Sequence, residues 1–170
     1  MEKYFKAIIL VTLVAFIAAG TTGCRKKSDD LDSGIIEDGI ILVGDAPPID
    51  VFTPDVNSEV YKMIHFDYDK SDIRDDAKPV LENIAMDLKA SPGKYVLVEG
   101  HCDERGTNEY NLALGERRAL TTREYLADLG VDPDRIVTIS YGEERALELG
   151  HDDSAWSVNR RAEFKTYIQK

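Results

Sequence analysis

YVLVEGHCDERGTNEYNLALGERRALTTREYLADLG, residues 95–130, decides how the rest of the chain is read. Tyr95–Glu99 is a short run of β formers, and it predicts a strand. After a polar loop, Leu112, Gly115, Ala119, Thr122, Leu126 and Leu129 repeat at seven-residue spacing. That spacing predicts a helix over about 108–129 with those residues on its buried face, Asn108 as its cap and Gly130 as its end. The loop between strand and helix concentrates His101, Cys102, Asp103 and Thr107.

Upstream, Val60–Phe66 reads as a further strand, followed by a polar turn over Asp67–Asp72. Ala77, Val80, Leu81, Ile84, Ala85 and Leu88 fall on one helical stripe. Asp75 or Asp76 suits the cap of that helix, Pro79 its first turn, and Ser91-Pro92-Gly93 its end. Downstream, Arg135–Ser140 reads as a strand. A loop follows with Tyr141-Gly142 and His151–Ser154, and a last strand alternates Ala162, Phe164, Thr166 and Ile168 against Glu163, Lys165 and Tyr167. The order β-α-β-α-β-loop-β predicts an α/β (α+β) sandwich, with a mixed sheet and helices packed on one face. This domain is expected to occupy residues 57–170.

The N-terminal part reads differently. Lys3 and Lys6 precede an apolar run from Ala7 to Gly20, and Thr21, Thr22 and Gly23 lead into Cys24. Residues 1–23 are laid out as a secretory signal peptide, with an apolar part too short to span a bilayer comfortably. The small residues before Cys24 resemble a bacterial lipobox, which implies a lipidated Cys24 at the mature N-terminus. Thr21 departs from that pattern, where Leu is usual; the alternative is an ordinary signal cut that leaves Cys24 a plain thiol. Residues 24–56 hold scattered Gly, the pair Pro47-Pro48 and mostly acidic charges. They read as a flexible acidic tether, with Ile40–Val43 as a candidate for pairing with a partner's sheet edge. Without the signal the chain carries 19 basic and 31 acidic side chains, a net of −12. Such a field excludes nucleic acid as a partner and repels anionic lipid surfaces, so any anionic ligand has to be caught by local geometry.

Helical geometry separates Arg117 from Arg118. At about 100° per residue, Arg117 points away from the apolar stripe and Arg118 lies roughly 70° from its centre. Arg118 therefore leans back toward Asp103 and Thr107, with Leu114 one turn earlier on the same flank. A fixed carboxylate and a fixed guanidinium in one hollow suit a ligand with both an ammonium and a carboxylate, the latter held bidentately by Arg118. The competing reading is a salt bridge that pins the loop to the helix. Cysteines are too few for a disulfide framework, although a Cys24–Cys102 bridge is one alternative. His101, Cys102 and Asp103 are consecutive and make a poor metal set, so no metal or other cofactor is expected. An enzyme reading, with Asp103 or Glu104 as base and His101 or Cys102 as nucleophile, lacks a histidine placed to activate Cys102 and a second carboxylate arranged for glycoside cleavage.

HFDYDKSDI (65–73), VEGHCDERGTNEYNLALGERRA (98–119), SYGEE (140–144) and NRRAEF (159–164) together resemble the OmpA-like peptidoglycan-binding domain over nearly all of residues 60–168. The resemblance implies a non-enzymatic module that binds the diaminopimelate residue of the peptidoglycan stem peptide. By position, Asp103 would meet the ligand's ammonium and Arg118 its carboxylate. Tyr68 and Asp69 would form a wall, Thr107 and Leu114 the floor, and His101 the rim. Asn159, Arg160 and Arg161 would brace the site or the sheet. Cys102 departs from the family's usual Ala or Thr, and Tyr68 from its usual Phe. The resemblance also implies a lipid anchor in the outer membrane with the domain facing the periplasm, a role for the Tol system in envelope integrity and cell division, and the propeller protein TolB as a partner.

Overall fold

The computed structural model describes residues 33–36, 40–43, 52–54 and 61–169. The signal, Cys24 and the rest of the expected tether lie outside the described residues. The strands are β1 (Ser33–Ile36), β2 (Ile40–Val43), β3 (Phe52–Pro54), β4 (Ile64–His65), β5 (Lys94–His101), β6 (Ile136–Gly142) and β7 (Arg161–Gln169). The helices are α1 (Lys78–Ala90), α2 (Asn108–Asp128) and α3 (Asp153–Asn159). β5 is central. It pairs parallel with β6 and antiparallel with β7, giving the order β1-β2-β6-β5-β7-β3, with β4 also on β7. The mixed sheet and helical layer agree with the sandwich that the sequence order predicts.

The core lies between this sheet and the first two helices. Leu81, Ile84, Ala85 and Leu88 of α1 and Ala119 and Leu126 of α2 are buried against Val96, Val98, Ile136, Ala162 and Phe164. The opposite face of the same strands buries Leu97, Val137, Ile139 and Tyr141. Period-two alternation thus makes β5 and β6 apolar on both faces.

Several local expectations shift. The first helix begins at Lys78, and its cap position is held by Ala77, which offers no side-chain cap; Asp75 pairs instead with Lys78 and Asp76 with Arg74. Thr107, not Asn108, caps α2, accepting from the Tyr110 amide at 3.2 Å. The buried face of α2 includes the polar Asn111 and Arg118 with Leu114, so its N-terminal half turns further round than the apolar spacing implies. The region read as a loop before the last strand contains α3, with Asp152 as its cap. The strand expected from Val60 is confined to Ile64 and His65 among the described residues.

Ile40–Val43 pairs antiparallel with β6 of its own chain, with β1 beyond it, and Phe52–Pro54 pairs with β7. Three short strands inside the segment read as tether therefore join the sheet. Glycine and aspartate isolate these runs in sequence, but a strand edge accepts any extended run able to complete its backbone hydrogen bonds. Composition does not report that opportunity.

Two glycines set how close α2 lies to the sheet. A Cβ at Gly100 would sit 2.0 Å from the Gly115 carbonyl oxygen, and one at Gly115 would sit 2.4 Å from Ser140 Oγ. The contact brings the first turns of α2 directly over the C-terminal ends of β5 and β6. Gly100→Ala is expected to destabilise the domain by about 3 kcal/mol through overpacking against backbone. Chemical denaturation measures this, and a loss below about 1 kcal/mol would contradict the close approach.

Candidate functional site

A small pocket opens where β5 ends and α2 begins, lined by Tyr68, Asp69, Cys102, Asp103, Arg105, Tyr110, Asn111, Leu114, Arg118 and Arg160. Five of the residues singled out in the sequence as direct ligand contacts converge here: Tyr68, Asp69, Asp103, Leu114 and Arg118. Thr107 is exposed and is spent on capping α2, so it is not among the lining residues. His101 is not at the rim. It is the last residue of β5, and strand alternation carries its ring to the opposite sheet face, stacked on Tyr141 with centroids 5.6 Å apart.

Arg118 is fully buried while Arg117 is exposed, as their helical angles predict. Its Nε donates to the Lys70 carbonyl at 2.9 Å, and Nη2 donates to the Asp67 carbonyl at 3.2 Å. Nη1 donates to the His101 carbonyl at 2.7 Å and approaches Cys102 Sγ at 3.3 Å. The guanidinium also lies 5.1 Å from the Phe66 ring centroid. These contacts use four of its five donor hydrogens. The fork therefore ties the 67–70 turn to the end of β5, and one N–H remains for the pocket. A bidentate grip on a ligand carboxylate by Arg118 alone does not fit this arrangement.

Asp103 does not pair directly with Arg118. Arg105 grips it through Nε to Oδ1 at 3.2 Å and Nη2 to Oδ2 at 2.7 Å, while its amide donates to Oδ1 at 3.1 Å. Arg160 adds Nη1 to Oδ2 at 3.1 Å. Burial opposes the charge on Asp103, yet the hydrogen bonds from Arg105 and Arg160 prevail and hold its carboxyl below the ordinary carboxylate range. Arg160, expected only to brace the site, is thus part of the pocket itself. Asn159 and Arg161 do brace: Asn159 accepts from the Leu147 and Glu148 amides, and Arg161 pairs with Glu163 at 2.5 Å.

The polar lining is interlinked. Tyr110 donates its hydroxyl to Asp69, whose backbone is left-handed at φ 55°, a conformation Asp tolerates better than most residues. Asn111 donates to the Asp103 carbonyl at 3.2 Å and to Glu143 at 2.5 Å. Cys102 is a buried free thiol whose pKa burial pushes up to about 11, so it is protonated at neutral pH and poorly nucleophilic. Consecutive positions 101–103 face different surroundings and do not converge on one ion. Glu99, His101 and Glu163 place ligand atoms within 4.8 Å of one another. Each carboxylate there already has a cation, Lys165 on Glu99 and Arg161 on Glu163, which a metal would have to displace.

Sequence reasoning missed Arg105, Tyr110, Asn111 and Trp156. Arg105 and Asn111 carried a usable signal, since both flank Asp103 at turn and helix spacing. Trp156 carried none, because it approaches from α3, more than fifty residues away in sequence.

The OmpA family model matches residues 65–160. The chain belongs to the OmpA family. It is similar to the peptidoglycan-associated lipoprotein of Haemophilus influenzae, 39% identical over 162 residues that cover 95% of this chain and 97% of the relative. The peptidoglycan-associated lipoprotein of Agrobacterium fabrum is 43% identical over 156 residues, covering 92% and 84% respectively. The crystal structure of the peptidoglycan-associated lipoprotein from Burkholderia pseudomallei superposes with a TM-score of 0.61 at 39% identity, covering 66% of this chain and 96% of that one.

Two outcomes follow from the buried groups. Arg118→Lys loses the planar fork and leaves buried carbonyls unpaired, so it should cost about 2–4 kcal/mol in denaturant titrations; an unchanged midpoint would contradict the bracing role. His101, desolvated by burial and surrounded by Arg161, Arg145 and Lys165, has its pKa lowered to about 3. Between that value and the ordinary one of about 6.5, the unfolded chain binds a proton that the folded chain refuses, so stability is lost as pH falls through the window. His101→Gln should therefore lose less melting temperature than the parent between about pH 7 and about pH 4.5, and equal losses would contradict the assignment.

Proposed function

We propose that this chain is a lipid-anchored tether between the outer membrane and the cell wall, binding the diaminopimelate residue of the peptidoglycan stem peptide without covalent chemistry. The observation that carries the reading is the pairing, in one pocket, of a buried carboxylate with buried or half-buried arginines. Asp103 offers the anionic pole for a ligand ammonium. Arg160 and the remaining N–H of Arg118 offer the cationic pole for its carboxylate. Tyr68, Asp69 and Leu114 shape the space between them. The close relatives named as peptidoglycan-associated lipoproteins support the same reading.

The local field explains how an acidic protein can hold a zwitterion. Three arginines and two aspartates meet at the pocket, so the immediate lining is net cationic while the chain as a whole is strongly anionic. Desolvated pairs of this kind act over contact distance, where the global field is screened. Cys24 is proposed as the lipidated residue that fixes the chain to the outer membrane, with the domain in the periplasm. TolB is proposed as a protein partner, within a Tol system that supports envelope integrity and cell division. The thiol of Cys102 is protonated and the His101 ring lies on another face, so neither favours an enzymatic reading.

Asp103→Ala should lower the fraction of protein that sediments with purified peptidoglycan by roughly tenfold or more, since it strips the charge partner from a desolvated site. The variant's cooperative melt establishes that it is folded. Sedimentation equal to the parent's in a folded variant would contradict the reading.

A further inference from the structure

The pocket is occupied by a side chain of the protein itself. The Arg105 guanidinium holds Asp103 at both carboxylate oxygens, and its central carbon lies 4.0 Å from the Tyr68 ring centroid and 4.1 Å from that of Trp156. A cation against a carboxylate and flanked by two aromatic rings is the arrangement by which proteins recognise cationic ligands. Behind this cage, Glu104 fixes the far wall. It accepts from Trp156 Nε1 at 3.0 Å and contacts His151 Nδ1 at 2.7 Å. The void left in the pocket is about 20 Å³, room for roughly one water molecule and for no amino-acid head group.

The geometry points to Arg105 as an intramolecular stand-in for the ligand's ammonium, which must swing out before a cationic ligand can reach Asp103, leaving Tyr68 and Trp156 as that ligand's aromatic walls. This rests on the reading of Asp103 as the ammonium subsite. Arg105 is suited to leave, because its side chain is 29% exposed whereas that of Asp103 is 4% exposed. Self-occupation also sets a selectivity threshold. A ligand has to outcompete a bidentate guanidinium at high effective concentration, so simple monoamines are excluded and a ligand with both poles is favoured.

Trp156 is the chain's one tryptophan and therefore reports directly on the cage. The test titrates full-length protein in detergent with a stem tripeptide ending in meso-diaminopimelate, following Trp156 emission and binding heat. Wild type is expected to bind with a change in Trp156 emission as Arg105 departs. Arg105→Ala should bind about tenfold more tightly, as for a site that is otherwise open about one-tenth of the time, and without the part of the emission change due to Arg105. The alanine variant should also take up methylguanidinium, which wild type should not. Tripeptide binding by the variant that is equal to or weaker than wild type overturns the stand-in role and leaves the wall-binding reading intact. No binding by either protein overturns both. If the alanine variant does not melt cooperatively, Arg105→Gln, which also removes the cation, decides by the same criterion.

Discussion

Arg118 is the buried guanidinium on which the site depends. Its fork joins three backbone carbonyls from two separate segments, the 67–70 turn and the end of β5. It can do so only because α2 lies close to the sheet, and that approach needs Gly100 and Gly115 to lack side chains. The order of causes is therefore plain. Glycine contact sets the helix height, helix height places residue 118, and its donors fix the walls. Tyr68, Asp69 and Asp103 take their positions from that bracket. A buried guanidinium without such partners would be strongly destabilising, so the bracket and the fold are mutually dependent.

The electrostatics divide into two layers. Arg118 is structural in the described geometry, with most of its donors committed to backbone. Asp103, paired with Arg105 and Arg160, forms the layer in which the proposed exchange of one cation for another takes place. This division alters the simpler picture of one acid and one arginine each gripping a pole. In the proposed reading the anionic pole remains Asp103, whereas the cationic pole is shared between Arg160 and a single N–H of Arg118. Beside the pocket, α3 contributes the chain's one tryptophan, whose indole N–H donates to Glu104, itself in contact with His151.

Much of this was legible in the sequence where periodicity carried it. The stripe of α1 predicts its buried residues, and the alternation of β7 does so for Ala162, Phe164 and Thr166 but not for Ile168, which is exposed. The angle between Arg117 and Arg118 correctly separates the solvated arginine from the buried one. The buried face of α2 was less legible, because Asn111 and Arg118 are polar and do not register on an apolar stripe. His101 was misplaced because the strand was ended too early; continuing the alternation of Leu97 and Glu99 by one step puts it on the far face. α3 spans only two turns without an apolar stripe, and its contribution to the site is a long-range contact. The pairing of Ile40–Val43 with β6 depends on a free backbone edge, which no residue pattern in that segment announces.

The central claim is that one pocket holds both poles of a single zwitterionic head group. Competition for wall-bound protein tests it directly: free meso-diaminopimelate, pentane-1,5-diamine and heptanedioate are added to protein sedimented with purified peptidoglycan, and the released fraction is measured. Diaminopimelate, which presents ammonium and carboxylate on the same carbon at each end, should release the protein. Pentane-1,5-diamine, lacking both carboxylates, and heptanedioate, lacking both ammonium groups, should not. Release by heptanedioate as effective as release by diaminopimelate would show that the carboxylate poles suffice, and the account would fail.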